Sequence, residues 1–282
     1  MSYTITTLVS DDYYKLYIPI FVYSARKAVP DAEIKIFYRG TLDKEIKSFC
    51  NCEFIENMFP EYPESESNTN ALRFLVPTKH FNTRYIYFTD IDFIMLKHTP
   101  SLYTYMYNTL HRTKQLHAGH RGPKKVTLGD PFLKFTGKNS RIAAGAFFCH
   151  IDLLNRTEQK RKDYLTAIKN GACSFRSYDE IMLYRLLLDA KQETPITVGA
   201  YTDGKVYDIT YRDVHLGDFK FTKRWKNTAK MKRKFLTDGN ITEYRRLSND
   251  SEWLKRVEYA CQDRHIAMYF NALNKHVEHR GC

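Results

Sequence analysis

The chain has 282 residues, 43% of them hydrophobic and 15% aromatic, and carries a formal net charge of +12. This is enough apolar material for a packed core, so the composition excludes a chain that is mainly disordered. No apolar run approaches the roughly 20 residues that a membrane-spanning helix needs, so we expect no such helix.

Strand-like and helix-like segments alternate along the first hundred residues. The predicted strands are β-branched or alternating runs, and the predicted helices carry apolar residues at helical spacing. In chain order they are a strand at 3–9, a helix at 14–28, a strand at 32–38, a helix at 41–49, a strand at 52–55, a helix at 71–75 and a strand at 85–88. This order predicts an α/β fold with a parallel sheet that is covered by helices.

The remaining two thirds are less regular. The segments predicted there are a strand at 143–151, a helix at 177–190, a strand at 211–217 and one or two helices from 252 onward. Ligands of parallel α/β sheets bind outside the carboxyl ends of the strands. Asp11 and the pair Asp90 and Asp92 follow two of the predicted strands, so we expect a binding site at that edge.

Asp90 and Asp92 lie in an otherwise apolar run, YIYFTDIDFIML at 85–96. An unpaired buried carboxylate costs several kcal/mol, so a metal ion, a basic side chain or solvent at the strand end should compensate the charge. Two carboxylates spaced i, i+2 at a strand end can reach one divalent ion, and hard oxygen ligands suit Mn²⁺ or Mg²⁺. The triplet alone is also common in acidic turns.

The segment VHLGDFK at 214–220 offers complementary groups. His215 is a candidate third metal ligand, Gly217 allows a close backbone approach, and Lys220 supplies a charge for a phosphate. The alternative for His215 is an ordinary core or surface histidine.

Basic residues concentrate in KFTKRWKNTAKMKRK at 220–234, which holds eight of them and no acidic residue. Interleaved with aromatic side chains, this segment predicts attraction to an anionic partner. We expect peripheral association with an anionic membrane through Lys223–Lys234, with a solvated helix face as the alternative. No RNA-binding module is recognisable, so no nucleic-acid partner is expected.

Six cysteines are scattered without CxxC spacing, and the N-terminus lacks the pattern of a secretory signal. Both features predict reduced thiols in a cytoplasmic protein, with the basic segment at the inner face of a membrane.

Six motifs together resemble glycosyltransferase family 8, whose members are metal-dependent, retaining sugar transferases of the GT-A fold. In family order they are LVSDDYY at 8–14, ALRFL at 71–75, DID at 90–92, AAG at 143–145, YDE at 178–180 and HLGDFK at 215–220. The resemblance spans roughly residues 3 to 225. It implies a GT-A catalytic domain over 1–225 and a basic helical extension over 226–282.

The resemblance implies a UDP-sugar donor and assigns residues to its binding. Asp11 would meet the uracil edge, Tyr14 would stack on the base, and Arg73 would contact the donor. The turn that contains Ala144 and Gly145 would lie beside the donor sugar. The remaining donor residues implied are Gly217 and Lys220, which would hold the diphosphate.

The resemblance also implies a metal site and a catalytic pair. Asp90, Asp92 and His215 would bind Mn²⁺ or Mg²⁺. Asp179 would bind sugar hydroxyls, and Glu180 would lie near the anomeric carbon. From the residues alone, an acidic pair that opens a helix is equally explained by the helix dipole.

Three positions depart from the family pattern. Ala143 replaces an asparagine, so recognition of the sugar there must differ. Glu180 replaces a glutamine, which places a carboxylate in the catalytic position. The last motif is one residue shorter between His215 and its glycine, so Lys223 is an alternative to Lys220 for the phosphate.

The function implied is transfer of a sugar from a UDP-sugar to a hydroxyl of a saccharide, glycolipid or lipid-linked acceptor, with retention of configuration. A nucleotidyltransferase is one alternative, since it can share the sheet and the carboxylate pair. That class usually has a glycine-rich phosphate loop where this chain has SDDYY. A non-catalytic RNA-binding protein would explain the charge, but it leaves the Asp pair without a purpose.

Overall fold

The computed structural model describes residues 2–62, 71–121, 142–171, 179–191, 201–202, 205–206, 214–216 and 238–278. Six strands form the central sheet in the order β3-β2-β1-β4-β7-β6. They are β1 (Tyr3–Val9), β2 (Glu33–Tyr38), β3 (Glu53–Ile55), β4 (Tyr85–Thr89), β6 (His117–Arg121) and β7 (Ile142–His150). Two further pairs are β5 (Phe93–Ile94) with β10 (Val214–His215), and β8 (Tyr201–Thr202) with β9 (Lys205–Val206).

Strands β1 to β4 run parallel, whereas β7 is antiparallel to both β4 and β6. The predicted α/β fold with a mostly parallel central sheet is therefore confirmed. Alternate residues of β4 enter two different clusters, Tyr85 and Tyr87 in one and Ile86 and Phe88 in the other. Because neighbouring side chains of a strand point to opposite faces, the sheet is buried on both faces.

Helices flank the sheet. They are α1 (Ile18–Ala28), α2 (Lys44–Ser48), α3 (Leu102–Thr113), α4 (Ile151–Arg156), α5 (Glu158–Lys169), α6 (Asp179–Asp189), α7 (Asp238–Ser248), α8 (Ser251–Ala260) and α9 (Arg264–Glu278). No helix among the described residues is long and apolar enough to cross a membrane.

The segment predicted as one helix at 14–28 begins as a 3-10 turn, Tyr14–Tyr17, and continues as α1. Pro19 lies in the first turn of α1, where its missing N–H has no intrahelical partner to lose. The helix predicted at 71–75 is a short helical segment that ends in the 3-10 turn Arg73–Leu75.

The C-terminal helices share the main hydrophobic cluster with β1 and α1. Trp253 of α8 is buried, and the Arg256 guanidinium lies 4.4 Å from the ring centroid of Tyr23 in α1. Lys27 forms an ion pair with Asp250 at 2.9 Å. The boundary predicted at residue 225 lies outside the described residues, so the division into 1–225 and 226–282 stays a prediction.

Candidate active site

The strand order places a crevice between the ends of β1 and β4. From β1 the chain moves outward to β2 and β3, and then returns to the other side of β1 as β4. Such a switch point opens a cleft at the carboxyl ends of the two central strands. The turn after β1 carries Asp11, and the turn after β4 carries Asp90 and Asp92.

The turn after β1 is shaped by its own acidic residues. Asp11 Oδ1 accepts a hydrogen bond from the Tyr14 N–H at 2.7 Å, while the Asp11 side chain remains exposed. Lys15 pairs with Asp12 at 2.9 Å and with Asp43 at 3.1 Å. The hydrogen bond from Lys15 is the main cause that lowers the pKa of Asp12. These contacts hold the turn that carries Asp11 and Tyr14 at the end of β1.

Three tyrosines of this turn form a cluster, Tyr13, Tyr14 and Tyr17. Their ring centroids lie 5.2 to 6.0 Å apart. The Tyr13 and Tyr17 hydroxyls are 3.0 Å apart, and Tyr17 is fully buried. Of these three, the sequence assigned a binding role to Tyr14 alone, because the contact between the Tyr13 and Tyr17 hydroxyls is visible only in the folded turn.

Arg73 lies directly against Asp90. Its buried guanidinium donates to Asp90 Oδ1 and to the Thr89 carbonyl, the latter at 3.4 Å. The Asp90 side chain keeps 32% of its surface exposed. A metal ion, a basic side chain and solvent exposure were the three expected ways to compensate the charge of Asp90. The structure shows two of them, the Arg73 side chain and partial solvent exposure.

Gly145 lies on the other side of the same carboxylate. A Cβ built at this position would come within 2.2 Å of Asp90 Oδ2 and 3.0 Å of its Cγ. Only glycine leaves room for the carboxylate as it is placed here. The fold therefore brings together Arg73, Asp90 and Gly145, which come from three distant parts of the sequence. Ala144 precedes Gly145 in β7, and its side chain lies outside the described residues.

Asp92 is buried, with 6% of its surface exposed. Its carbonyl accepts a hydrogen bond from the Leu216 N–H at 2.9 Å. Strand β10 pairs with β5 so that His215 lies opposite Phe93. The backbone of His215 is thereby fixed next to the segment that carries Asp92, while its side chain lies outside the described residues.

The donor set suits a hard divalent ion. Asp90 and Asp92 supply carboxylate oxygens at a strand end, and the position without a side chain at Gly145 gives the Asp90 carboxylate space. Within the described side chains, which exclude that of His215, no group of three or more His, Cys, Asp or Glu residues could hold a metal ion.

The other predicted site residues can be placed only in part. Asp179 and Glu180 open α6, a helix that packs on β7, the strand of Gly145. Their side chains lie outside the described residues, as do Gly217, Lys220 and the basic segment Lys223–Lys234.

A scan against protein-family models finds no match, and neither does a search of curated proteins. Solved structures do match. The galactosyltransferase LgtC, in complex with donor and acceptor sugar analogues, is 13% identical over 64% of this chain and 70% of its own, with a TM-score of 0.44.

Two further matches are the glycosyltransferase GlyE of Streptococcus pneumoniae TIGR4 and the mannosyltransferase Ktr4p of S. cerevisiae in complex with GDP. GlyE is 11% identical, with 97% of this chain and 64% of its own covered and a TM-score of 0.46. Ktr4p is 11% identical, with 66% of each chain covered and a TM-score of 0.45. With identities of 11 to 13% and TM-scores of 0.44 to 0.46, these likenesses by themselves assign no fold family, activity or ligand to this chain.

Proposed function

We propose that the chain is a glycosyltransferase that uses a nucleotide-sugar donor. The observation that carries the proposal is the constellation of Arg73, Asp90 and Gly145 at the switch point of the sheet. It combines a buried guanidinium with a carboxylate that keeps 32% of its surface exposed at the end of a central strand. An anionic diphosphate and a divalent ion are the ligands that such a pair of charges fits.

The proposed donor is a UDP-sugar, as the family resemblance implies. Asp11 and Tyr14 lie in the turn after β1, where the base would bind. Asp11 already accepts the Tyr14 N–H with one oxygen, so the other oxygen is the one assigned to the uracil edge. The exposed carboxylate of Asp11 is suited to hydrogen bonding with the base, and the partly buried ring of Tyr14 is suited to stacking on it.

Asp90, Asp92 and His215 are the residues proposed to hold Mn²⁺ or Mg²⁺. When bound, such an ion neutralises charge that develops on the leaving diphosphate. Arg73 would share this role through its positive charge, which lies directly beside Asp90. Gly217 and Lys220 are assigned to the same diphosphate by the resemblance.

The proposed reaction breaks the bond between the anomeric carbon and the diphosphate oxygen and forms a bond to an acceptor hydroxyl oxygen, with retention. Two routes are open. Glu180 attacks first and forms a glycosyl-enzyme, or the leaving phosphate takes the acceptor proton on the same face. Asp179 would orient the sugar hydroxyls in both. Glu180→Gln abolishes turnover in the first route and leaves it largely intact in the second.

The proposed acceptor is a hydroxyl of a saccharide or glycolipid, reached at an anionic membrane surface. The support is the basic segment Lys223–Lys234 with Trp225 in it. Flotation with vesicles that contain anionic lipid should carry the protein upward at low salt and not at high salt. Absence of flotation at low salt would remove the membrane from the proposal.

Hydrolysis of UDP-sugars tests the function without knowledge of the acceptor. The protein with Mn²⁺ should release UDP slowly from one or a few UDP-sugars, and EDTA should stop it. Arg73→Met should reduce the release strongly, and Arg73→Lys less, because lysine keeps the charge but not the planar fork. If the protein releases UDP from no UDP-sugar, transfer of a nucleotide to a sugar phosphate would favour a nucleotidyltransferase. Tight binding of RNA would then favour an RNA-binding protein.

A further inference from the structure

Arg161 is a buried cation that lies outside the candidate site. It belongs to α5, and 2% of its surface is exposed. Its guanidinium donates to the Val76 carbonyl, to Thr78 Oγ1 and, at 3.0 Å, to the Leu154 carbonyl. None of these three acceptors is a carboxylate. An apolar side chain of similar size would fill the same space without the cost of burying a charge, so packing alone does not explain an arginine here.

Two of the three acceptors follow directly on the segment that carries Arg73. Residues 71–76 of this segment are all buried, and the 3-10 turn Arg73–Leu75 ends at Val76. Helix α5 packs against this turn. Because a single 3-10 turn has little stability of its own, contacts with the rest of the fold determine where its side chains lie.

The same short segment makes the contact to the candidate site. Three residues before Val76, the Arg73 guanidinium donates to Asp90 Oδ1 and to the Thr89 carbonyl. Two sets of hydrogen bonds therefore meet in one turn of chain, one from α5 and one to the end of β4. A displacement of Val76 would carry Arg73 with it, because the backbone of so short a turn moves as a unit.

We propose that Arg161 is a positioning residue of the donor site: its guanidinium fixes the end of the Arg73 segment, so that the Arg73 guanidinium stays against Asp90. The proposal rests on the proposed function, because that function assigns Arg73 and Asp90 to the donor diphosphate and its metal. Groups that orient the ligands of a metal site typically change affinity or activity by 10- to 100-fold when they are removed.

Arg161→Met tests the proposal, because methionine fills much of the same space without a charge or a donor. In titrations of the full chain with UDP and Mn²⁺, the affinity should be about tenfold lower than that of the wild type, the lower end of the range for supporting groups. The loss should be smaller than that of Arg73→Met, since Arg161→Met leaves the Arg73 side chain in the protein.

Ile168→Ala is the matched control. Ile168 is on the same helix and is 1% exposed, but its side chain has no hydrogen-bonding group. Its truncation should lower the melting temperature at least as much as Arg161→Met does and leave UDP binding unchanged. Equal losses of affinity in the two variants would mean a general effect of α5 on stability and would overturn the proposal.

A double-mutant cycle separates positioning from an independent effect. In the Arg73→Met background, Arg161→Met should cause no further loss of UDP affinity, because the group that it positions is absent. A loss of the same size in both backgrounds would show that Arg161 acts without Arg73 and would overturn the proposal.

Thr78→Val tests the contact from its other side. Valine keeps the shape of threonine and removes the oxygen that accepts from Arg161, and Thr78 is only partly buried. UDP affinity should fall by less than in Arg161→Met, since the two carbonyl acceptors remain. If Arg161→Met does not fold, unchanged UDP affinity in Thr78→Val overturns the proposal.

The Arg73 side chain gives a readout that does not require nucleotide. Its Nε–H resonance, assigned in a ¹H–¹⁵N spectrum by its loss in Arg73→Met, should shift in Arg161→Met and stay in place in Ile168→Ala. If the wild type does not bind UDP, the proposed function fails, while this resonance still reports whether Arg161 holds Arg73. An unmoved resonance in Arg161→Met overturns the proposal even where UDP binds.

Discussion

The carboxylate of Asp90 owes its placement to two neighbours of opposite kind. The Arg73 guanidinium donates a hydrogen bond to one carboxylate oxygen, and the lack of a side chain at Gly145 leaves space for the other. The buried charge of Arg73 needs such a partner, because taking an ion out of water costs several kcal/mol that a nearby opposite charge helps to offset. The constellation therefore works as a unit, and a change at any of the three residues should move the carboxylate.

Gly145→Ala tests this unit with a single methyl group. A Cβ at 2.2 Å from Asp90 Oδ2 must push the carboxylate away, so binding of UDP with Mn²⁺ should weaken by tenfold or more. Calorimetric titration measures the loss. Gly171→Ala is the control: Gly171 has φ +67° with nothing within 4 Å of its Cβ position, so alanine there should lower stability and spare binding. Normal binding by Gly145→Ala would show that the carboxylate position does not matter.

At the scale of single residues, the sequence predicts most of this constellation. Asp90, Arg73 and Gly145 belong to recognisable motifs, and the fold brings them together. The contact between the Tyr13 and Tyr17 hydroxyls could not be predicted, because the predicted helix begins at residue 14 and leaves Tyr13 outside it.

At the scale of elements, strand β6 pairs with β7 at the edge of the sheet and carries a buried histidine, His117. His117 lies opposite Cys149 of β7 and is fully buried, with its ring stacked 6.0 Å from Phe147. Among the described residues, neither of its ring nitrogens has a hydrogen-bond partner. Burial lowers the pKa of His117 to about 4, so the ring is neutral in the folded protein at neutral pH.

This burial predicts a specific loss of stability in weak acid. Above pH 6.5 His117 is neutral in both states and contributes no pH dependence. As the pH falls from 6.5 to 4, only the unfolded chain takes up the proton, so folding loses up to roughly 3 kcal/mol. His117→Phe should remove this part of the pH dependence. Urea unfolding of both proteins at several pH values measures it, and identical slopes for the two would contradict the assignment.

The elements that sequence patterns predict are those with clear periodicity. The strands at the centre of the sheet lie within one or two residues of their predicted bounds, since apolar β-branched runs are unambiguous. Strand β6, with the sequence HAGHR, has no such run and was not predicted. Its place in the sheet follows from pairing with β7, which is a long-range contact.

At the scale of the whole molecule, the C-terminal helices and the sheet share one core. Trp253, Ile266, Phe270 and Leu273 are almost fully buried in the cluster that contains β1 and α1. Truncation of one such side chain typically costs 2 to 5 kcal/mol, and the whole stability of a domain is about 5 to 15 kcal/mol. The helices are therefore a structural requirement of the fold.

A chain that ends at residue 237 tests this statement. It lacks α7, α8 and α9, so it should be insoluble or lack a cooperative thermal transition. Circular dichroism and calorimetry of the truncated and full-length proteins make the comparison. A truncated chain that melts cooperatively at the full-length temperature would show that the helices are a separate unit.

Binding of UDP in the presence of Mn²⁺, compared between the wild type and Asp92→Asn, tests the central claim most directly. Asparagine keeps the shape of the side chain and removes its charge, so both proteins should melt within a few degrees of each other. The wild type should bind UDP only with the metal present, and Asp92→Asn should bind at least tenfold more weakly. Absence of binding by the folded wild type, or equal binding by both proteins, would contradict the assignment of this site to a nucleotide-sugar donor.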